Sequence, residues 1–177
     1  TSEVYGSAKY LPIDEEHPLN AQSPYAASKI SADQLSLSYY RSFDLPVKII
    51  RPFNTFGPRQ SLRAVIPTII SQLVNTNNKK IKIGNIHSSR DFVYVKDTVD
   101  GLIKLMSSNK VIGEVINISS NNSYSIKDII EMLSRYTKSK PKIEVQQKRK
   151  RTSELNKLRG SNKKIYKLTK WKPKYAS

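Results

Sequence analysis

The sequence contains no cysteine. Disulfide staples and thiolate metal sites are therefore excluded, which fits a chain that works in the cytoplasm. Glycine is scarce too, with six residues at positions 6, 57, 84, 101, 113 and 160. None falls in a Gly-x-Gly-x-x-Gly spacing, so these residues hold no recognisable cradle for a dinucleotide pyrophosphate. No apolar run approaches the roughly 20 residues a membrane-spanning helix needs. The chain opens on a polar segment, so no signal peptide is expected. Histidine is limited to His17 and His87, both in polar stretches, and no metal site is expected.

A chain of 177 residues is long enough for one compact domain, although its hydrophobic fraction, 37%, is low. The net charge is +17, and its distribution says more than its size. Between Lys138 and Lys174 there are fifteen Lys or Arg against two acids, Glu144 and Glu154. Such a run is either an anion site or a solvated lysine-rich surface. The aromatics do not interleave with it as a base-stacking platform requires, so nucleic acid is not the expected partner.

Helical and β-branched patterns alternate along the chain, which argues for an α/β protein. Thr1 to Gly6 reads as a strand end entering a loop, and residues 7–22 as loop. Pro24 is placed to open a helix that runs to about Phe43. Val47 to Arg51 is a β-branched strand stopped by Pro52, and Phe53 to Arg59 is a Gly-Pro loop. Further helices are expected from Ala64 to Asn75, from an Asp97 cap to about Ser107, from a Ser125/Asp128 capping box to Tyr136, and weakly over 161–169. Further strands are expected at Lys80–Ile83, Arg90–Val95, Glu114–Ile118 and Lys142–Val145. Trp171 reads as a packing residue.

The chemistry concentrates in Ser23-Pro24-Tyr25-Ala26-Ala27-Ser28-Lys29 and in Thr1-Ser2-Glu3-Val4-Tyr5-Gly6. Tyr25 and Lys29 are four residues apart, so a helix puts them on one face, one turn apart. An ammonium beside a phenol favours the phenolate and so makes a base. Thr1 and Glu3 add a hydroxyl and a carboxylate. Together these groups suit proton removal and hydride chemistry, with the hydride acceptor supplied by a cofactor.

Four motifs occur in order: Thr1-Ser-Glu-Val-Tyr-Gly6, Tyr25-x-x-x-Lys29, Arg51-Pro-Phe-Asn54-x-x-Gly57-Pro58-Arg59 and Arg90-Asp-Phe-x-Tyr-Val-x-Asp97. With them the chain resembles the extended short-chain dehydrogenase/reductase family, within it the NAD-dependent nucleotide-sugar epimerases, dehydratases and decarboxylases. The resemblance implies a Rossmann-like doubly wound sheet with a small α/β substrate-binding subdomain. It covers only the second half of the family's domain, so a fragment is expected, lacking the glycine-rich N-terminal half. Residues 1–60 would be the catalytic remainder of the NAD-binding domain. Residues 61–177 would mainly bind the nucleotide sugar, with some segments returning to the sheet.

The same resemblance implies roles for individual residues. Tyr25 would take the proton from the sugar's 4-hydroxyl, Lys29 would hold the nicotinamide ribose, and Thr1 would hydrogen-bond the 4-hydroxyl. Ser2 and Glu3 complete the catalytic set, and Pro52 joins Tyr25 and Lys29 at the cofactor. Asn54, Arg63, Arg90 and Arg149 would grip the sugar-nucleotide diphosphate, where a planar guanidinium can bind two oxygens at once. Glu3 separates the reactions. A 4,6-dehydratase needs a carboxylate to remove the C5 proton and expel the C6 hydroxyl as water, whereas plain epimerases usually need none there. Many dehydratases carry Thr-Asp-Glu at this position, and here Ser2 replaces the Asp. The wording around the motifs is similar to bacterial 4,6-dehydratases that act on UDP-N-acetylglucosamine, with UDP-glucuronate decarboxylase and 4-epimerase as the alternatives. Family members often dimerise through the Tyr-x-x-x-Lys helix, so a homodimer interface is expected there.

Overall fold

A computed structural model describes residues 1–75, 80–146 and 157–175. Five helices and eight strands alternate through the described residues. Strand β1 (Ile49–Pro52) pairs in parallel with β6 (Val115–Ile118), β2 (Asn54–Phe56) with β5 (Phe92–Tyr94), and β3 (Lys80–Ile83) with β8 (Lys142–Val145). The short β4 (Ser89–Arg90) and β7 (Tyr124–Ser125) pair antiparallel. Parallel pairs with helical crossovers are the α/β architecture the alternating pattern predicts.

Helix α1 (Pro24–Phe43) begins as expected. The Ser23 side chain accepts the Ala26 amide at 3.1 Å, and Pro24 occupies the first helical position. The helix ends where Asp44 takes a left-handed conformation with φ of 53°. Helix α2 (Val65–Val74) packs with α4 (Ile126–Tyr136) over β3. The capping box read from Ser125 and Asp128 is present, with both reciprocal hydrogen bonds formed. Helix α3 (Val95–Met106) and α5 (Lys163–Thr169) pack together, and α5 also packs on β6.

Two hydrophobic clusters result. One gathers Val4, Tyr5, Phe53, Ile116, Ile118, Leu158, Ile165 and Trp171 around the β1/β6 pair. The other gathers Ile66, Ile69, Ile81, Ile83, Phe92, Ile126 and Ile130 between α2, β3 and α4. Trp171 is fully buried, as expected of a packing residue, and its indole donates to the Asp97 carbonyl at 3.2 Å.

Several local expectations are corrected. Ser2–Tyr5 is a single 3₁₀ turn rather than a strand end, because the Thr1 side chain accepts the Glu3 amide and the Gly6 amide closes on the Glu3 carbonyl. The Gly-Pro loop contains β2, which forms because Phe92–Tyr94 is available to pair with it. The run Arg90–Val95 is not one strand. It breaks at Asp91, whose side chain is buried and hydrogen-bonded away from the ladder, and Val95 already begins α3. Asp97 does not cap α3. It lies inside the helix, and its carboxylate accepts the amides of Lys174 and Tyr175 at 2.8 and 3.0 Å. Leu35 on α1 is apolar yet 62% exposed.

Among the described residues no helix is long and apolar enough to cross a membrane, and no cluster of His, Cys, Asp and Glu could hold a metal ion.

Candidate active site

A cleft of about 680 Å³ runs between the two hydrophobic clusters. The 3₁₀ turn and the start of α1 bring Glu3, Gln22, Ser23 and Tyr25 to it, the end of β3 and the segment after it bring Ile83, Gly84, Asn85 and Ser88, and Asn54, Arg63 and Arg90 are also on its walls. The polarity of the walls follows from their origin. Loops, the strand β2, the ends of other strands and the first turns of α1, α2 and α4 supply them.

The reacting end is built by the 3₁₀ turn and the start of α1. The turn presents Glu3 half-buried on the cleft wall, while Ser2 is buried away from it. Tyr25 lies in the first turn of α1, 51% exposed, on the same cleft. The helical spacing of Tyr25 and Lys29 is realised, and the Lys29 ammonium is 5.5 Å from the Tyr25 ring centroid. Neither residue makes a side-chain hydrogen bond or ion pair within the described residues, so both polar groups are available to a ligand. The Thr1 hydroxyl accepts the Glu3 amide at 3.4 Å.

Asn54, at the start of β2, is the most informative residue of the wall. Its amide donates to the Asp91 carbonyl at 3.1 Å, which fixes its backbone. Its side-chain Oδ1 is buried with no hydrogen-bond partner among the described residues. A buried acceptor without a donor is costly unless a ligand supplies one. Arg90 donates to the Ser89 carbonyl at 3.0 Å, and Arg63 reaches the cleft from the exposed turn before α2.

Asp91, beside Arg90, holds this wall in place. It accepts Ser120 N and Oγ at 2.8 and 2.7 Å, Asn121 N at 3.1 Å and Gly160 N at 3.0 Å. Burial pushes its pKa up to about 6, against the downward pull of those four donors.

The structure thus brings Glu3, Tyr25, Asn54, Arg63 and Arg90 onto one cleft, with Lys29 against the Tyr25 ring. Pro52 pairs with Ile118 in the β1/β6 ladder and is not on the cleft wall. Arg149 lies outside the described residues. Gln22, Asn85 and Ser88 were not singled out from the sequence. Their only sequence signal is polarity in a loop, shared with many residues that line nothing.

An α/β fold of parallel pairs, with a Tyr-x-x-x-Lys helix facing a polar cleft, defines a Rossmann-like scaffold. The family model described as GDP-mannose 4,6 dehydratase matches residues 1–177, and the chain belongs to that family of NAD-dependent nucleotide-sugar dehydratases and epimerases. The GDP-6-deoxy-D-mannose reductase of Pseudomonas aeruginosa is 31% identical, over 98% of this chain and 59% of its own length. The human dTDP-D-glucose 4,6-dehydratase is 34% identical over 75% of this chain and 39% of its own length. Among solved structures, RMD from Pseudomonas aeruginosa complexed with NADPH superposes with a TM-score of 0.91 at 30% identity, covering 98% of this chain and 59% of that one. The dTDP-glucose 4,6-dehydratase of Bacillus anthracis in complex with NAD gives 0.89 at 30% identity, covering 99% and 55%. The chain therefore spans less than two thirds of the length of these relatives.

Proposed function

We propose that this chain is the catalytic and substrate-binding part of an NAD-dependent nucleotide-sugar 4,6-dehydratase. The observation that carries the reading is the placement of Glu3 and Tyr25 on one cleft whose walls also bear Asn54, Arg63 and Arg90. A base, a second carboxylate and a set of phosphate-compatible donors are what oxidation at C4 followed by loss of water requires.

The donor set at the start of α1 fits the cofactor. An exposed phenol and an adjacent ammonium, both without hydrogen-bond partners among the described residues, fit the hydroxyls of a nicotinamide ribose. Lys29 and Tyr25 would hold it. When bound, the cofactor would supply the acceptor for the hydride that leaves C4 and would return that hydride to C6 once water is lost, a proton re-adding at C5. Tyr25 Oη, acting as the phenolate, takes the proton from the C4 hydroxyl, and the Lys29 ammonium beside it offsets the charge of that phenolate before the transfer. Glu3 removes the C5 proton, made acidic by the C4 ketone, and delivers a proton to the departing C6 hydroxyl, which leaves as water. Arg63 and Arg90 bind the diphosphate, and Asn54 Oδ1 accepts from a hydroxyl or amide of the substrate.

The division of the chain near residue 60 and a homodimer through α1 are part of the same proposal. Two separate hydrophobic clusters support the first, with Val93, Leu105, Ile116, Ile118, Leu158, Ile165 and Trp171 as the later segments that return to the cluster around β1. The exposed Leu35, Tyr39 and Phe43, spaced four residues apart on α1, support the second.

The test is product analysis with the gene product that carries this chain, given UDP-N-acetylglucosamine and NAD. Formation of a 4-keto sugar, abolished by Tyr25→Phe, is expected. Full activity in Tyr25→Phe would sink the assignment. A 4-keto reductase is the second reading, favoured by the reductase that aligns over 98% of the chain. In that case a 4-keto sugar would be consumed with oxidation of the reduced cofactor, and Glu3→Gln would leave turnover intact.

A further inference from the structure

A buried polar network lies behind the reacting end of the cleft and touches none of its walls. Arg51 on β1 is buried, with 3% of its side chain exposed. Its Nε donates to Asp33 Oδ2 at 2.9 Å and its Nη1 donates to Tyr5 Oη at 3.1 Å. Tyr5 Oη in turn donates to Asn117 Oδ1 on β6 at 2.7 Å, and the guanidinium carbon is 5.1 Å from the Tyr5 ring centroid. Asn117 is anchored as well, its Nδ2 donating to the Ile13 carbonyl at 3.3 Å and its amide to Glu15 Oε1 at 2.8 Å.

The partners of Arg51 sit on the two elements that carry the reacting groups. Tyr5 ends the 3₁₀ turn that holds Glu3. Asp33 follows Lys29 by four residues and Tyr25 by eight, so Tyr25, Lys29 and Asp33 form one stripe along α1. Pinning Asp33 fixes the rotation of α1 about its axis and therefore where Tyr25 and Lys29 point. Pinning Tyr5 fixes the height of the turn and therefore where Glu3 points. A guanidinium is rigid and planar with five donors, so one side chain can hold both partners at a set separation. A lysine would offer a single nitrogen on a flexible stem and would not hold the two partners at a set separation.

We propose that Arg51 is a positioning residue that couples the Glu3 turn to the Tyr25–Lys29 helix and sets the geometry between the two reacting groups. The role in turnover rests on the dehydratase reading, whereas the coupling itself does not. A misplacement of about 1 Å can cost a reaction on the order of a hundredfold, so small slack in this joint reaches the rate.

The test uses Tyr5→Phe, which keeps the ring and removes only the hydroxyl, and Asp33→Ala, each in the gene product that carries this chain. Hydrogen exchange followed by NMR reads the coupling. Tyr5→Phe is expected to speed exchange of the Lys29 and Ile30 amides on α1, and Asp33→Ala to speed exchange of the Gly6 amide in the turn, each about tenfold. Changes confined to the mutated element would overturn the coupling whether or not the protein is active. In the kinetic arm both variants are expected to lose at least tenfold in kcat with KM for the nucleotide sugar held within about twofold, since the Asn54, Arg63 and Arg90 walls are untouched. Reciprocal exchange with unchanged kcat, or a rise in KM alone, would overturn the positioning role. Wild-type protein inert toward nucleotide sugars would count against the dehydratase reading, and the exchange arm would still decide the coupling.

Discussion

Gly160 donates its amide to Asp91 Oδ2 at 3.0 Å, across 69 residues of chain. With Ser120 and Asn121 on the same carboxylate, this one side chain ties the β4/β5 junction, the loop after β6 and the returning chain at residue 160 into the wall that carries Arg90. Asp91 is buried, and its pKa is raised from 3.8 to about 6. Between those values the folded state holds a proton that the unfolded chain has released. Its contribution to stability is therefore full below about pH 4 and is lost as the pH rises through about 6. The difference corresponds to on the order of 3 kcal/mol. Chemical denaturation of wild type and Asp91→Asn at pH 4 and pH 7 should show the wild-type advantage shrinking by about that amount at the higher pH. A constant difference would refute the assignment.

The partner of Asp91 is constrained by space. A Cβ added at Gly160 would sit 2.5 Å from the Ser119 Cβ and 2.6 Å from the Phe53 ring. Phe53 is in the core and cannot give way without opening a gap beside Val4 and Ile118. Gly160→Ala is expected to destabilise the protein by about 2–3 kcal/mol, the cost of overpacking a close contact. A melting temperature within a degree of wild type would contradict this close approach.

Asn54 should behave in the opposite sense. Its Oδ1 is buried without a partner, so Asn54→Ala removes a group that costs the empty protein free energy. Stability is expected to stay unchanged or rise slightly. If the substrate supplies the missing donor, KM for the nucleotide sugar should rise about tenfold, from a lost hydrogen bond worth about 1–1.5 kcal/mol. Loss of stability with unchanged KM would make Asn54 a structural residue.

Much of this was legible because it is local. Ser125 and Asp128 cap α4 through contacts three residues apart, and Lys80–Ile83 and Lys142–Val145 are strands by their own side-chain character. Tyr25 and Lys29 needed only the helix period. What stayed hidden depends on remote partners. Asn54–Phe56 reads as loop beside Gly57-Pro58 and becomes a strand only because Phe92–Tyr94 lies alongside. Asp91 reads as one residue of an alternating strand, and nothing nearby announces Ser120 or Gly160 as its donors. The motifs gather Glu3, Tyr25, Asn54 and Arg90 by resemblance, whereas Gln22, Asn85 and Ser88 reach the cleft through loop paths that no periodicity encodes.

Asp97 gives the sharpest contrast between a local reading and the folded result. As a cap it would hold the first turn of α3, and its loss would fray that turn. Instead its two oxygens accept the Lys174 and Tyr175 amides, while its carbonyl accepts the Trp171 indole. The Tyr175 ring lies 5.1 Å from the Tyr94 ring, so the tail is held from both sides of the α3 start. Asp97→Ala leaves two amides without their acceptor and is expected to cost about 2 kcal/mol in global stability. The larger effect should be local. With the clasp gone, the Lys174–Tyr175 bond becomes accessible, whereas Lys172 is protected from trypsin by the following Pro173. Limited trypsinolysis should therefore cut after Lys174 at least tenfold faster in Asp97→Ala, with the exchange of amides in the first turn of α3 unchanged. Fraying of α3 with the tail still protected would restore the cap and overturn the clasp.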